Sequence, residues 1–340
     1  MTLNLPLHGG TDDGPWVTHD FSTNANPLGP PPALWQAVQQ ADRQRYPDPH
    51  YRALREQLAA AHAVPPEQIL PTAGGAEAIR RLTLAALLQG LREVWVPQPG
   101  FGDYAAAAEA LGLSVHRYSD WQELLHGRPA LIWLCQPCNP SGTRLDSAAL
   151  ARIAAAALSP SLLVIDLAYE PLRLDGEAVA LPPSCWQLHC PNKALGLTGV
   201  RAAYLVAPAP DNTWARLLAL AASWVLSAEG QALLMHWHDA QTLDWLAESR
   251  AQLRIWSAQQ RALLDGLGWQ QQGSCTPFWL AQPPQPQSVE GLRAHGIKLR
   301  DAESFGLPGW VRIATLPPPA QQALLKALTT LTTSTQGLTK

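Results

Sequence analysis

Lys193 stands eight residues before Arg201 in Cys190-Pro-Asn-Lys-Ala-Leu-Gly-Leu-Thr-Gly-Val-Arg201. Two more reactive or polar residues lie upstream: Asn139, in Asn139-Pro140-Ser141-Gly142-Thr143, and Asp166, in Asp166-Leu167-Ala168-Tyr169. Each follows an apolar run. A lysine amine becomes a nucleophile toward a carbonyl once it loses its proton. An amine, an amide and a carboxylate in this setting point to one carbonyl cofactor, pyridoxal phosphate.

The elements that must position them can be read from the same sequence. In open α/β sheets, ligands sit beyond the carboxyl ends of the strands. Asn139 follows a strand ending near Leu134, Asp166 ends the strand at Ile165, and Lys193 follows an extended stretch at 185–189. All three are therefore expected at one crevice. Singly, each has an ordinary explanation: an aspartate after a strand commonly caps a helix, and a lysine is commonly a solvated side chain. The joint pattern carries the argument.

Short apolar runs at Val94-Trp-Val96, Ala130-Leu-Ile-Trp-Leu134, Leu162-Leu-Val-Ile165 and Tyr204-Leu-Val206 read as buried parallel strands. Helical spacing at 53–62, 77–90 (Ile79, Leu82, Ala85, Ala86) and 147–157 separates them. This alternation predicts an α/β large domain with a mostly parallel sheet flanked by helices. Residues 229–265 read as one long helix. A strand at Phe278-Trp-Leu280, a helix at 288–295, a strand at Trp310-Val-Arg-Ile313 and a helix at 319–331 then predict a smaller C-terminal α+β domain. The expected division is a loop-rich N-terminal arm at 1–40, contributing to the small domain and the site, a large domain at 41–240 and a small domain at 241–340.

Composition bounds the rest. With 340 residues, 47% of them hydrophobic and 15% charged, the chain is globular. A net charge of -3 gives no reason to expect nucleic acid or an anionic membrane surface. The first eight residues lack the pattern of a signal peptide, and no apolar run approaches the ~18 residues of a membrane span. Five cysteines read as reduced thiols, which predicts a cytoplasmic protein.

The set of motifs resembles the fold-type I pyridoxal-phosphate enzymes of the aspartate aminotransferase type, over nearly the whole chain. The resemblance implies that Lys193 bonds covalently to the cofactor and shuttles the substrate's α-proton. It implies that Asp166 pairs with the ring nitrogen, that Asn139 and Tyr169 hydrogen-bond the phenolic oxygen, and that Phe101 stacks on the ring. Gly75 and Ala76, in Gly74-Gly75-Ala76-Glu77 before a helical stretch, match the phosphate-binding turn. Arg201 matches the arginine on that phosphate. Two places depart from the family pattern: Cys190 and Asn192 stand where hydroxyls are usual, and a thiol is a poor donor, so phosphate anchoring there is expected to be weaker or rearranged. A zinc or redox reading of Cys135-Gln-Pro-Cys138 with Cys185 and Cys190 is also open. Against it, Cys138 adjoins Asn139 and Cys190 lies near Lys193.

The ends of the chain bear on the substrate. Leu7-His-Gly-Gly10, Asn24-Ala-Asn-Pro-Leu-Gly29, Arg45-Tyr-Pro-Asp48 and Arg300-Asp-Ala-Glu-Ser-Phe-Gly-Leu-Pro-Gly-Trp-Val-Arg312 resemble the threonine-phosphate decarboxylases of cobalamin biosynthesis. These are close to the histidinol-phosphate aminotransferases. The resemblance places a substrate carboxylate on Arg312 and a substrate phosphate near His8, Asn24 and Arg300. It implies decarboxylation of L-threonine O-3-phosphate first, class I/II transamination such as that of histidinol phosphate second, and a non-catalytic cofactor-binding relative third. Tyr46 matches a tyrosine that reaches the neighbouring subunit's cofactor, which implies a homodimer.

Overall fold

The computed structural model describes residues 8–284 and 289–337; residues 1–7 of the expected arm, and residue 288 of the expected helix at 288–295, lie outside them. The strands, in chain order, are β1 (His19–Asp20), β2 (Ile69–Thr72), β3 (Glu93–Pro97), β4 (Ser114–Tyr118), β5 (Leu131–Cys135), β6 (Leu162–Asp166), β7 (Trp186–His189), β8 (Ala203–Val206), β9 (Gln270–Gln271), β10 (Phe278–Gln282), β11 (Ile297–Lys298), β12 (Arg300–Asp301) and β13 (Val311–Ala314). The α-helices are α1 (Pro32–Gln39), α2 (Arg52–His62), α3 (Gly75–Leu88), α4 (Gly102–Glu109), α5 (Ser147–Ala156), α6 (Asn212–Ala219), α7 (Ala228–Met235), α8 (Ala240–Gly266), α9 (Val289–Ala294) and α10 (Pro318–Gly337).

A seven-stranded sheet runs β2-β8-β7-β6-β5-β3-β4. Only β8 runs against its neighbours; β7, β6, β5, β3 and β4 pair in parallel. The apolar runs β5 and β6 are buried at every position, as strands covered on both faces must be. After β3 the chain moves outward to β4. It then returns past β3 to β5 and builds the other way, through β6 and β7. This reversal is a topological switch point, where the loops leaving β3 and β5 part and open a crevice at the strands' carboxyl ends.

Helical periodicity explains the covering layers. In α3, the apolar positions Ile79, Leu82, Ala85 and Ala86 are all buried, and in α2 Leu54 and Leu58 form an i, i+4 pair against the core. Full burial of one such leucine stabilises by about 1.5–3 kcal/mol. Helix α8 buries Thr242, Leu246, Ser249, Leu253, Ser257, Gln260 and Leu264, a stripe repeating every three or four residues. It leads into a four-stranded antiparallel sheet, β12-β13-β10-β9, while β1 pairs in parallel with β11. The N-terminal segment thus joins the small-sheet region.

One expectation is corrected, and three elements carried no signal in the sequence. The stretch 229–265 is two helices, because Trp237 turns into the core between them and Asp239 takes an extended backbone before α8 while bonding His236 at 2.6 Å. The first 40 residues are not all loop: Pro32 opens α1 at a position where its missing N–H costs nothing, and Leu34 and Val38 bury an i, i+4 pair. Strands β2 and β4 gave no separate signal, being short and, for β4, mixed in polarity.

Three histidines gather around Tyr204 on β8. Its hydroxyl meets His62 at 2.8 Å and His238 at 3.3 Å, and His189 stacks on its ring at 4.9 Å. Burial pushes His62 down, His189 well down, and His238 to about 4; the nearby Asp239 opposes the shift on His238. Folded-state values below the unfolded value of about 6.5 mean that the unfolded chain binds more protons. Stability is therefore full above pH ~6.5 and is lost as pH falls below it, with a limiting slope of about 1.4 kcal/mol per pH unit per histidine, less where a ring is partly exposed. The thermal midpoint is expected to fall between pH 6.5 and about 4 in the wild type, and less steeply in His62→Gln/His238→Gln. Parallel melting curves in the two proteins would refute this.

Candidate active site

A cavity of about 460 Å³ opens at the switch point. It is lined by Lys193, Asp166, Asn139, Tyr169, Phe101, Gly75, Ala76, Cys190, Asn192 and Arg201 from the large-sheet region, and by His8, Asn24, Arg300 and Arg312. The structure thus brings together every residue expected at the cofactor or the substrate except Tyr46. That side chain is 76% exposed and stacks on Trp224, 4.2 Å between ring centroids, outside its own chain's cavity.

Asp166 ends β6 and is buried. Its Oδ2 accepts from the Tyr104 hydroxyl at 2.7 Å and its Oδ1 from the Ala168 N–H at 2.9 Å. Burial raises its pKa above the usual carboxylate value, while these donors and the nearby Lys193 pull it back. Tyr104, stacked on Trp133, is pushed well up by burial and by Asp166, so it stays a neutral donor. The carboxylate is thus held by donors in a site short of solvent, ready for a cationic ring nitrogen.

Lys193 leaves β7 in a turn clamped by Asn26. The Asn26 N–H donates to the Lys193 carbonyl at 2.8 Å, and its side-chain amide to the Ala194 carbonyl at 3.1 Å. The Lys193 ammonium lies 5.7 Å from the centre of the Tyr169 ring. Tyr169 first, then Cys190 and Asp166, raise its pKa against the effect of burial and Arg201.

At the other side of Asp166, Gly74 caps α3 with no side-chain cap and φ +87°, leaving first-turn amides for an anion. A methyl group on Gly74 would sit 2.5 Å from the Arg201 guanidinium, so the glycine lets the arginine close over the helix end. The Cys190 thiol lies against Gly75 and donates to Asn192 Oδ1 at 3.3 Å. Its weak donor is spent on Asn192, which leaves the helix amides and Arg201 as the principal anion donors.

Arg312 is buried, with Nη1 donating to Asn139 Oδ1 at 2.6 Å and Nη2 to the Ser22 carbonyl at 2.5 Å. Among the described residues it has no carboxylate partner, and burial pushes its pKa down to about 10. Arg300 lies directly opposite it, β12 against β13, and is also buried. Like charges facing each other across strands are destabilising, and Arg300 donates to the Asp301 carbonyl at 2.8 Å and the Ser304 hydroxyl at 2.6 Å. Asn24 is buried with neither side-chain polar atom partnered.

These features fit pyridoxal phosphate. An aspartate faces the ring-nitrogen side, a glycine-opened helix end with Arg201 suits the phosphate, Phe101 offers a ring face, and Lys193 supplies the amine. Sequence reasoning missed Tyr104, Asn26, Ser22 and Asp103, because each acts through a neighbour that only folding supplies. Asp166–Tyr104 spans 62 residues, and only the Phe101-Gly-Asp-Tyr104 spacing after β3 hinted at it. Tyr104→Phe removes a charge-assisted donor from Asp166 and is expected to weaken cofactor binding about tenfold in a fluorescence titration. Unchanged affinity would leave Tyr104 a packing residue only.

Fold and site together define a pyridoxal-phosphate enzyme of the aspartate aminotransferase-like fold. The chain belongs to the aminotransferase class I and II family, whose model matches residues 18–329. It is 32% identical over 313 residues to a histidinol-phosphate aminotransferase of Halorubrum lacusprofundi, covering 87% of this chain and 84% of that one. It superposes on the L-threonine-O-3-phosphate decarboxylase of Porphyromonas gingivalis with TM-score 0.78 at 24% identity, covering 92% and 98% of the two chains. It superposes on the histidinol-phosphate aminotransferase of Sinorhizobium meliloti, solved with pyridoxal-5'-phosphate, with TM-score 0.78 at 22% identity, covering 92% and 90%. The sequence relative is an aminotransferase, and the decarboxylase likeness is one of fold. The order of the two readings is therefore reversed: transamination now leads. Among the described residues no three His, Cys, Asp or Glu side chains form a metal-binding group, all five cysteines are free, and no helix is long and apolar enough to cross a membrane.

Proposed function

We propose that this chain is a pyridoxal-phosphate-dependent aminotransferase of a small phosphorylated amine, with histidinol phosphate as the first candidate donor and a dicarboxylic keto acid as acceptor. The observation that carries the reading is the buried pair Arg300 and Arg312, facing each other across β12 and β13 on the same cavity as Lys193. Burying the Arg312 guanidinium without a counter-charge costs roughly 3–5 kcal/mol, and an anionic substrate removes that cost. When bound, pyridoxal phosphate supplies an electron sink for negative charge at the substrate's α-carbon. Arg312 binds a carboxylate of the keto-acid acceptor, since histidinol phosphate has none, with Asn139 fixing its guanidinium. Arg300, Asn24 and His8 surround the phosphate. Lys193 takes the proton from the donor's α-carbon in the first half of the reaction and delivers one to the keto acid's α-carbon in the second, while Phe101 and Tyr169 would wall the ring from water. The enzyme works in the cytoplasm as a homodimer, with the exposed Tyr46 reaching the partner's site.

A second reading, decarboxylation of L-threonine O-3-phosphate, is favoured by the arm: His8, Gly9 and Gly10 line the cavity in the Leu7-His-Gly-Gly10 motif that resembles the decarboxylases. The two reactions differ in which bond at the α-carbon stands perpendicular to the ring. One assay separates them. Purified protein given histidinol phosphate and 2-oxoglutarate should form glutamate and release no CO2 from L-threonine O-3-phosphate. CO2 from threonine phosphate without glutamate would replace the first reading by the second, and silence with both would reject both.

A further inference from the structure

Residues 8–11 of the N-terminal arm line the cavity, and this segment is tied on two sides. On the small-sheet side, the Gly10 N–H donates to the Ser22 hydroxyl at 2.9 Å, Lys298 bonds the Gly10 carbonyl, and Asp12 pairs with Lys298 at 2.5 Å and Arg293 at 2.8 Å. Gly9 is pressed so closely that a methyl group there would lie 1.9 Å from the Ser22 carbonyl oxygen and 2.9 Å from Arg312 Nη2. On the large-sheet side, His8 Nε2 meets Asp103 Oδ1 at 3.1 Å, in the first turn of α4. The His8 ring lies 5.4 Å from that of Phe101.

We propose that Asp103 is a positioning residue: it accepts from His8 Nε2–H and so, in the imidazolium form that a carboxylate on one side and a phosphate on the other favour, presents Nδ1–H to a phosphate monoester bound beside the two arginines. The inference rests on the phosphorylated-substrate reading above. An acidic side chain in an anion pocket repels the ligand unless its charge is directed elsewhere, and here it is directed at an imidazole. Holding one ring nitrogen with a carboxylate sets the orientation of the other. A planar carboxylate is already served by one guanidinium in a two-point contact, whereas a tetrahedral dianion accepts further donors. Gly9 lies against the Arg312 guanidinium, and His8 beside it lines the same cavity as both arginines, so its Nδ1–H adds a donor to theirs.

The test is calorimetric titration of inorganic phosphate, and separately of succinate, into the cofactor-loaded protein, where the cofactor's own phosphate site is filled. Asp103→Asn and His8→Gln should each weaken phosphate binding about tenfold. The double variant should bind within twofold of His8→Gln, because Asp103 acts through His8. Asp103→Glu should recover part of the loss, and succinate should weaken by less than twofold throughout. The proposal is overturned if Asp103→Asn binds phosphate like wild type, if the two losses multiply, if phosphate and succinate weaken alike, or if wild type binds no phosphate. Coupled phosphate binding in a protein that converts neither phosphorylated compound would support the His8–Asp103 role and reject the proposed function.

Discussion

Lys193→Ala should lower kcat by about 10⁴-fold or more, the largest effect expected of any single substitution here. The amine has two proposed tasks, attachment of the cofactor and transfer of the α-proton, and no neighbour can take over either. Nearby Asp166 is committed to Tyr104 and the Ala168 N–H, and Tyr169 is held against Phe278, 4.7 Å between ring centres. The fold should survive, since Lys193 makes no ion pair among the described residues and its turn is held by bonds from the Asn26 backbone and side-chain amides to the Lys193 and Ala194 carbonyls. Stopped-flow absorbance and thermal melting in parallel check both halves. A variant that keeps a tenth of the activity would show that another group moves the proton.

Arg312→Met should separate function from stability. It removes the proposed carboxylate anchor, and a loss of about 3–4 kcal/mol in transition-state binding corresponds to a 10²–10³-fold fall in kcat/KM. Yet the guanidinium is buried without a carboxylate and faces Arg300 across the sheet. An apolar side chain of similar length relieves the desolvation and the repulsion, against the loss of bonds to Asn139 and the Ser22 carbonyl. The melting temperature is expected to stay level or rise while kcat/KM collapses. A large drop in melting temperature with activity per folded molecule intact would make Arg312 structural.

How much of this could be read beforehand follows from what each signal depends on. The strands β5 and β6 and the helix α3 were legible because burial on both faces, or on one helical stripe, writes itself into local periodicity. Asn139, Asp166 and Lys193 were legible because a sheet puts the residues after its strands at one edge. The break at 236–239 was not, since it comes from Trp237 finding a core and contains neither glycine nor proline. Partnerships were the least visible. Tyr104 with Asp166, Arg300 opposite Arg312, and His8 with Asp103 join residues from distant segments or strands, and their meaning lies in distances that only the folded chain fixes. The substrate order shifted for a different reason: the end motifs resemble one branch, while the sequence relative over most of the chain belongs to the other.

The most direct test of the account is to reduce the cofactor-loaded protein with borohydride and map the modified peptide by mass spectrometry. The chain has four lysines, at 193, 298, 326 and 340, so the result is unambiguous. The account predicts stoichiometric pyridoxyl modification of Lys193 alone. Modification of Lys298 or another lysine instead, or a protein that takes up no pyridoxal phosphate, would contradict it.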